Sequence, residues 1–118
     1  MPKENVKDFG VLIYTYLRRI HKNQSTFAKD LKTNRQNVAQ ICSSEIDNIP
    51  DHLLFKLYYY FNERVIEKEK NKNHLSEYDK LILNDEEFLF KQIRFRLAQL
   101  EYETGKNKSY GKPRTRRK

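Results

Sequence analysis

Between positions 34 and 44 the chain sets out hydrogen-bonding side chains in close succession: Asn34, Arg35, Gln36, Asn37 and Gln40, then Ser43 and Ser44. An arginine fork fits two adjacent acceptors, such as O6 and N7 of guanine. A glutamine or asparagine amide fits an acceptor beside a donor, as on the N7/N6 edge of adenine. The chemistry available there is recognition rather than bond making. His21, His52 and His74 share no ligand spacing and Cys42 stands alone, so no metal site is expected. No glycine-rich phosphate loop, serine elbow or carboxylate pair with an adjacent base occurs. Asp85-Glu86-Glu87 reads as a helix start, with acids at the positive end of the dipole. Neither enzymatic activity nor a cofactor is expected.

Charge distribution narrows the kind of partner. The 118 residues carry a net charge of +8. Residues 104–118 hold Lys106, Lys108, Lys112, Arg114, Arg116, Arg117 and Lys118 with no acid, so +7 of that total sits in the last fifteen positions. Residues 18–35, with Arg18, Arg19, Lys22, Lys29, Lys32 and Arg35 against Asp30, sum to +5, while 36–103 sum to −4. Two separated basic patches on a neutral body point to a polyanion met at defined places. A single cysteine forbids an intramolecular disulfide, which fits a reducing cytoplasm. No stretch has the length of apolar sequence a membrane span requires, and no membrane association is expected.

The elements that must hold those residues are helical: Gly and Pro number three each, and apolar residues recur at three- and four-residue steps. Phe9, Leu12, Ile13, Tyr16, Leu17 and Ile20 predict a helix over about 8–22, with Asp8 as its cap. Asn23 is placed to cap a helix through Leu31, burying Phe27, Ala28 and Leu31. Asn34 is placed to cap another through about Ser43, burying Val38 and Ile41. Pro50 suits the first turn of a helix capped by Asp47 or Asn48 and burying Leu53, Leu54, Leu57 and Phe61. Asn62 suits the start of a short fifth helix with Val65 and Ile66 inward, running out in the charged stretch 67–73. Ser76 then resembles a cap, and 76–103 reads as one long helix or two meeting near Asn84, ended by Gly105. The expected organisation is an all-α domain over 1–70, a helical extension over 71–103 and a disordered basic tail over 104–118.

The stretch Gln24–Ile41 has the geometric requirements of a helix-turn-helix. A small residue, Ala28, stands where two helices cross. Val38 and Ile41 follow it by ten and thirteen positions and close the small core with Leu31. With Val38 and Ile41 inward, Arg35, Gln36, Asn37, Ala39 and Gln40 take the start and outer face of the second helix. Together with the preceding helix and the Ile49-Pro50 start of the next, this stretch resembles the lambda-repressor-like helix-turn-helix family of phage, plasmid and bacterial regulators over about residues 8–66. The resemblance implies five packed helices, the third lying in the DNA major groove, with base contacts mapping onto Asn34, Arg35, Gln36 and Gln40. Asn37 joins them by its position on the outer face. Arg18, Arg19, Lys22, Gln24, Lys32, Ser43 and Ser44 are the candidates for phosphate contacts. One departure stands out: Lys32 occupies the turn position where the family usually has glycine, and a left-handed non-glycine residue costs about 1–2 kcal/mol.

The implied function is a sequence-specific double-stranded-DNA-binding transcriptional regulator, a repressor by type, acting as a homodimer. Leu89, Ile93, Leu97 and Leu100 would supply the dimer contact, and the basic tail would run along phosphates. The competing reading of 76–103 is that its apolar stripe packs back on its own domain through Phe55 and Tyr59. Another takes Phe88, Phe90, Phe95, Arg94 and Arg96 as an aromatic-basic nucleic-acid surface. A different class of function is a protein-binding adaptor or antitoxin-like factor of phage or plasmid origin, with DNA binding secondary. An RNA or single-strand binder using Tyr58, Tyr59, Tyr60 and the tail ranks last, because stacking requires exposed rings.

Overall fold

The computed structural model describes residues 9–108, with side-chain surroundings for 9–101. Among these residues there are five α-helices and no strand: α1 (Phe9–Arg19), α2 (Gln24–Leu31), α3 (Arg35–Cys42), α4 (Asp51–Lys70) and α5 (Glu77–Lys108). Two 3-10 turns, Ile46–Asn48 and Lys72–His74, precede α4 and α5 respectively. The expected all-helical class is therefore the class observed. Asp8 and residues 109–118, which include Lys112, Arg114, Arg116, Arg117 and Lys118, lie outside the described residues.

Local chemistry places the first three helices. α1 turns Phe9, Ile13, Tyr16 and Leu17 to the core at helical spacing. It closes with His21 in the left-handed region (φ 57°), where the Lys22 amide donates to Leu17 O at 2.9 Å. Asn23 then caps α2, its side-chain oxygen accepting from Thr26 N at 2.8 Å. α2 ends in the same way on Lys32 (φ 61°, ψ 48°). Thr33 N donates to Ala28 O at 2.9 Å and Lys32 N to Lys29 O at 3.1 Å. The turn keeps its left-handed form without glycine, and at both helix ends amides beyond the helix pair with carbonyls of its last turns. Asn34 caps α3 by accepting from Asn37 N at 2.8 Å.

The later helices depart from expectation. Pro50 sits at the N-cap of α4 rather than inside its first turn, with its carbonyl accepting from Leu53 N and Leu54 N at 3.0 Å. Asp47 and Asn48 form the preceding 3-10 turn instead of a cap. No separate helix begins at Asn62: α4 runs unbroken through the charged stretch to Lys70, which consists of strong helix formers. Ile66 points to solvent and Val65 is only half-buried. Ser76 caps α5 as expected, accepting from Asp79 N at 3.1 Å. α5 is one helix without a break at Asn84, and it passes through Gly105 to Lys108, so Gly105 does not end it.

One core serves the whole described chain. Phe27, Ala28, Leu31, Val38, Ile41, Leu53, Leu54, Leu57 and Phe61 share it with Ile82, Leu89 and Ile93 of α5. Within the expected extension, the stretch from Ile82 to Leu100 is thus a wall of that core. Leu89 and Ile93 are buried within their own chain and Leu97 and Leu100 are partly buried against it, so the expected dimer stripe is occupied intramolecularly. The packing partners differ from those expected as well, since Phe55 and Tyr59 are exposed while Tyr58 meets Phe90 at 5.3 Å. No described helix is long and apolar enough to cross a membrane.

Candidate nucleic-acid interface

The unit formed by α2, its turn and α3 is fixed from beneath. Val38 and Ile41 are fully buried, and Ala28 and Leu31 nearly so. α1 seats the far end of α3 through bare backbone: Gly10 N donates to Ser44 O at 3.1 Å. A Cβ built on Gly10 would lie 2.4 Å from the carbonyl oxygen of Cys42. Only glycine permits that approach. Sequence reasoning passed over Gly10 because nothing in a helical pattern tells that a backbone thirty residues later will rest against it. Lys56 of α4 braces the turn, its Nζ donating to Lys32 O at 3.2 Å.

With the inner face so held, Arg35, Gln36 and Gln40 stand exposed on the outer face of α3, and none of their side chains has a hydrogen-bond or ion-pair partner among the described residues. The other two recognition candidates are committed to the turn. Asn34 caps the helix through its oxygen, and Asn37 is half-buried with Nδ2 donating to Thr33 Oγ1 at 2.7 Å.

The phosphate-contact candidates separate in the same way. Arg18, Lys22 and Gln24 line an open cleft of about 520 Å³ together with Arg35, where the ends of α1, α2 and α3 converge. Tyr14 also lines it, a residue whose half-exposed position on α1 the sequence did not single out. Within this cleft Lys22 is ion-paired to Asp30, and its ammonium approaches the Tyr60 ring at 6.0 Å, while Arg18 and Arg35 have no carboxylate partner among the described residues. Arg19 faces away, bound to Asp85 of α5 at 2.8 Å, while its backbone carbonyl accepts from the Tyr78 hydroxyl. Lys32 is exposed at the turn. Ser43 donates to Ala39 O at 3.0 Å and Ser44 donates to Gln40 O, so both hydroxyl protons close the end of α3 and neither is free for a phosphate. Lys106 and Lys108 fall in the last turn of α5, whose side chains lie outside the description.

Cys42 is half-buried at the end of α3. Burial pushes its thiol above the ordinary range, and a hydrogen bond with Gln24 acts in the opposite direction. That makes it a packing residue with little thiolate. Among the described residues no three His, Cys, Asp or Glu side chains gather as a metal site would require.

The most unexpected grouping is a buried polar one. Glu86, 1% exposed, accepts from the Tyr16 hydroxyl at 2.5 Å and from Lys68 Nζ at 2.8 Å; the Tyr60 hydroxyl lies 3.2 Å from that of Tyr16. The Arg64 guanidinium covers the Tyr60 ring at 4.9 Å. Burial first, then the Tyr60 and Glu86 neighbours, push the Tyr16 hydroxyl far above its ordinary range, so it stays a donor. Glu86 is not at a helix start, as its sequence suggested; it lies within α5 and ties that helix to α1 and α4. No protein-family model matches the chain, and no similar curated protein or solved structure was found.

Proposed function

We propose that the protein is a sequence-specific double-stranded-DNA-binding regulator of the lambda-repressor-like helix-turn-helix type, acting as a homodimer with α3 as its reading helix. The observation that carries this reading is the division of α3 itself. Its inner face is sealed by Val38 and Ile41, and its outer face presents Arg35, Gln36 and Gln40 without competing partners among the described residues. Arg35 reads a guanine, Gln36 and Gln40 read adenine or thymine edges, and Arg18 holds a phosphate beside them. The arrangement has no nucleophile or general base at its exposed face and supports binding, with repression following from occupancy of a promoter.

The test begins with selection of bound duplexes from a random pool. Arg35→Ala is expected to lose about 1–3 kcal/mol of discrimination at one base pair. Arg18→Ala is expected to weaken binding to every duplex alike and to lower the salt slope by about one. A pool that yields no enriched sequence, or an Arg35→Ala protein with undiminished preference, overturns the proposal.

A further inference from the structure

α5 has a second face that the core does not use. Leu81, Phe88 and Phe95 are all exposed, Phe95 by 68%, and they follow one another at seven-residue intervals. Asn84, Lys91 and Ala98, each three positions further on, are exposed too. An apolar row repeating every seven residues supplies one of the two rows of a left-handed helix-pair seam, and Asn84, Lys91 and Ala98 stand in the other. α5 is 32 residues, about 48 Å at 1.5 Å per residue.

The charges beside that seam say what covers it. The row preceding the apolar positions reads Lys80, Glu87, Arg94 and Glu101. The row on the opposite side holds Tyr78 and Asp85, both engaged by Arg19 of α1, followed by Gln92 and Gln99. In an antiparallel pair related by a two-fold axis, like flanking rows face each other, the apolar row faces the row three positions on, and residue numbers sum to a constant within each pair of facing rows. An axis between Glu87 and Arg94 sets Glu87 against the partner's Arg94 and Lys80 against the partner's Glu101, and each contact occurs twice. The same register brings Leu81 to the partner's Ala98. A parallel pair would instead set Arg94 against Gln99, leaving it uncompensated.

We propose that a second copy of this chain docks on this face of α5, antiparallel, with Phe88 and Phe95 in the seam and Glu87 paired to the partner's Arg94. The groups inside one chain are arranged to receive it. Arg94 has no carboxylate partner among the described residues and lies over the Phe90 ring at 5.6 Å. Glu87 stands against Glu69 of α4, a like-charged neighbour whose hydrogen bond holds the Glu87 carboxyl above its ordinary range, with Lys72 only partly compensating. An incoming guanidinium discharges that acid pair. The surface rests on the homodimeric reading above and replaces the buried Leu89 and Ile93 as its contact.

Sedimentation of the full-length chain tests it, with circular dichroism confirming that each variant is folded. The unaltered chain is expected to dimerise. Arg94→Glu and Glu87→Arg are each expected to weaken the dimer by about tenfold or more, because two symmetric attractions become repulsions. Mixing the two variants is expected to restore it, since the mixed pair recovers both contacts. Phe95→Glu, at an exposed position, supplies a variant that leaves the charge rows intact and is expected to dissociate the pair. A monomeric unaltered chain, dimers indifferent to either reversal, or a mixture that fails to recover overturns the proposal. The DNA reading fails separately: a charge-sensitive dimer that selects no sequence sinks that reading and leaves this surface standing, while a monomer that still selects a sequence does the reverse.

Discussion

Helices α3 and α5 distribute polarity in opposite senses. α3 buries Val38 and Ile41 and shows solvent an arginine and two glutamines, while α5 buries a carboxylate at Glu86 and shows solvent Leu81, Phe88 and Phe95. Exposed amides and guanidinium groups are what a wet, polar partner surface requires, and exposed aromatic rings suit a dry one. The contrast teaches that the molecule has two outward faces of different chemistry on one shared core. The core must keep both rigid, and it does so by different means: direct backbone contact under α3, and a hydrogen-bonded acid under α5.

Damage to each support should therefore separate the two faces. Gly10→Ala is expected to have the largest effect, destabilising by about 3 kcal/mol as α1 and α3 are forced apart. Chemical denaturation measures the loss, and unchanged stability would mean that the backbone seat is slack. Tyr16→Phe is expected to cost about 2 kcal/mol, because buried Glu86 is left with Lys68 alone. A nearly neutral result would show that the acid under α5 is satisfied without its tyrosine. The smallest effect belongs to Glu69→Gln. Glu87 titrates above its ordinary range in the folded chain, so folding is penalised once the pH exceeds the unfolded carboxylate range, and acidification relieves the penalty. Thermal unfolding at neutral pH should therefore shift upward in Glu69→Gln, and the gain should shrink as the pH falls; a gain independent of pH would assign it to packing instead.

What could be read from the sequence followed the range over which the determining contacts act. The caps at Asn23, Asn34 and Ser76 act within three residues, and all three are where their residue types place them. The Ala28, Val38 and Ile41 spacing spans one turn between two helices, and it too was legible. Glu86 was misread because Asn84-Asp85-Glu86-Glu87 looks like a helix start when its tyrosine partner, 70 positions away, is unknown. The break expected at Asn62 failed because a charged run of helix formers needs no apolar stripe when Lys68 can reach a buried acid. The commitment of Asn37, Ser43 and Ser44 to the helix ends was invisible for a related reason. Composition shows which groups can donate but not which have already found an acceptor.

The distance along the chain from Tyr16 to Glu86 also orders events at synthesis. α2 and α3, with their caps, emerge early, but the wall supplied by Ile82, Glu86, Leu89 and Ile93 arrives only in the last third. Long-range closure of this kind delays the cooperative step until most of the polypeptide has left the ribosome. A truncated nascent chain that ends after α3 has the Gly10 seat beneath that helix but lacks the walls of the core that α4 and α5 supply.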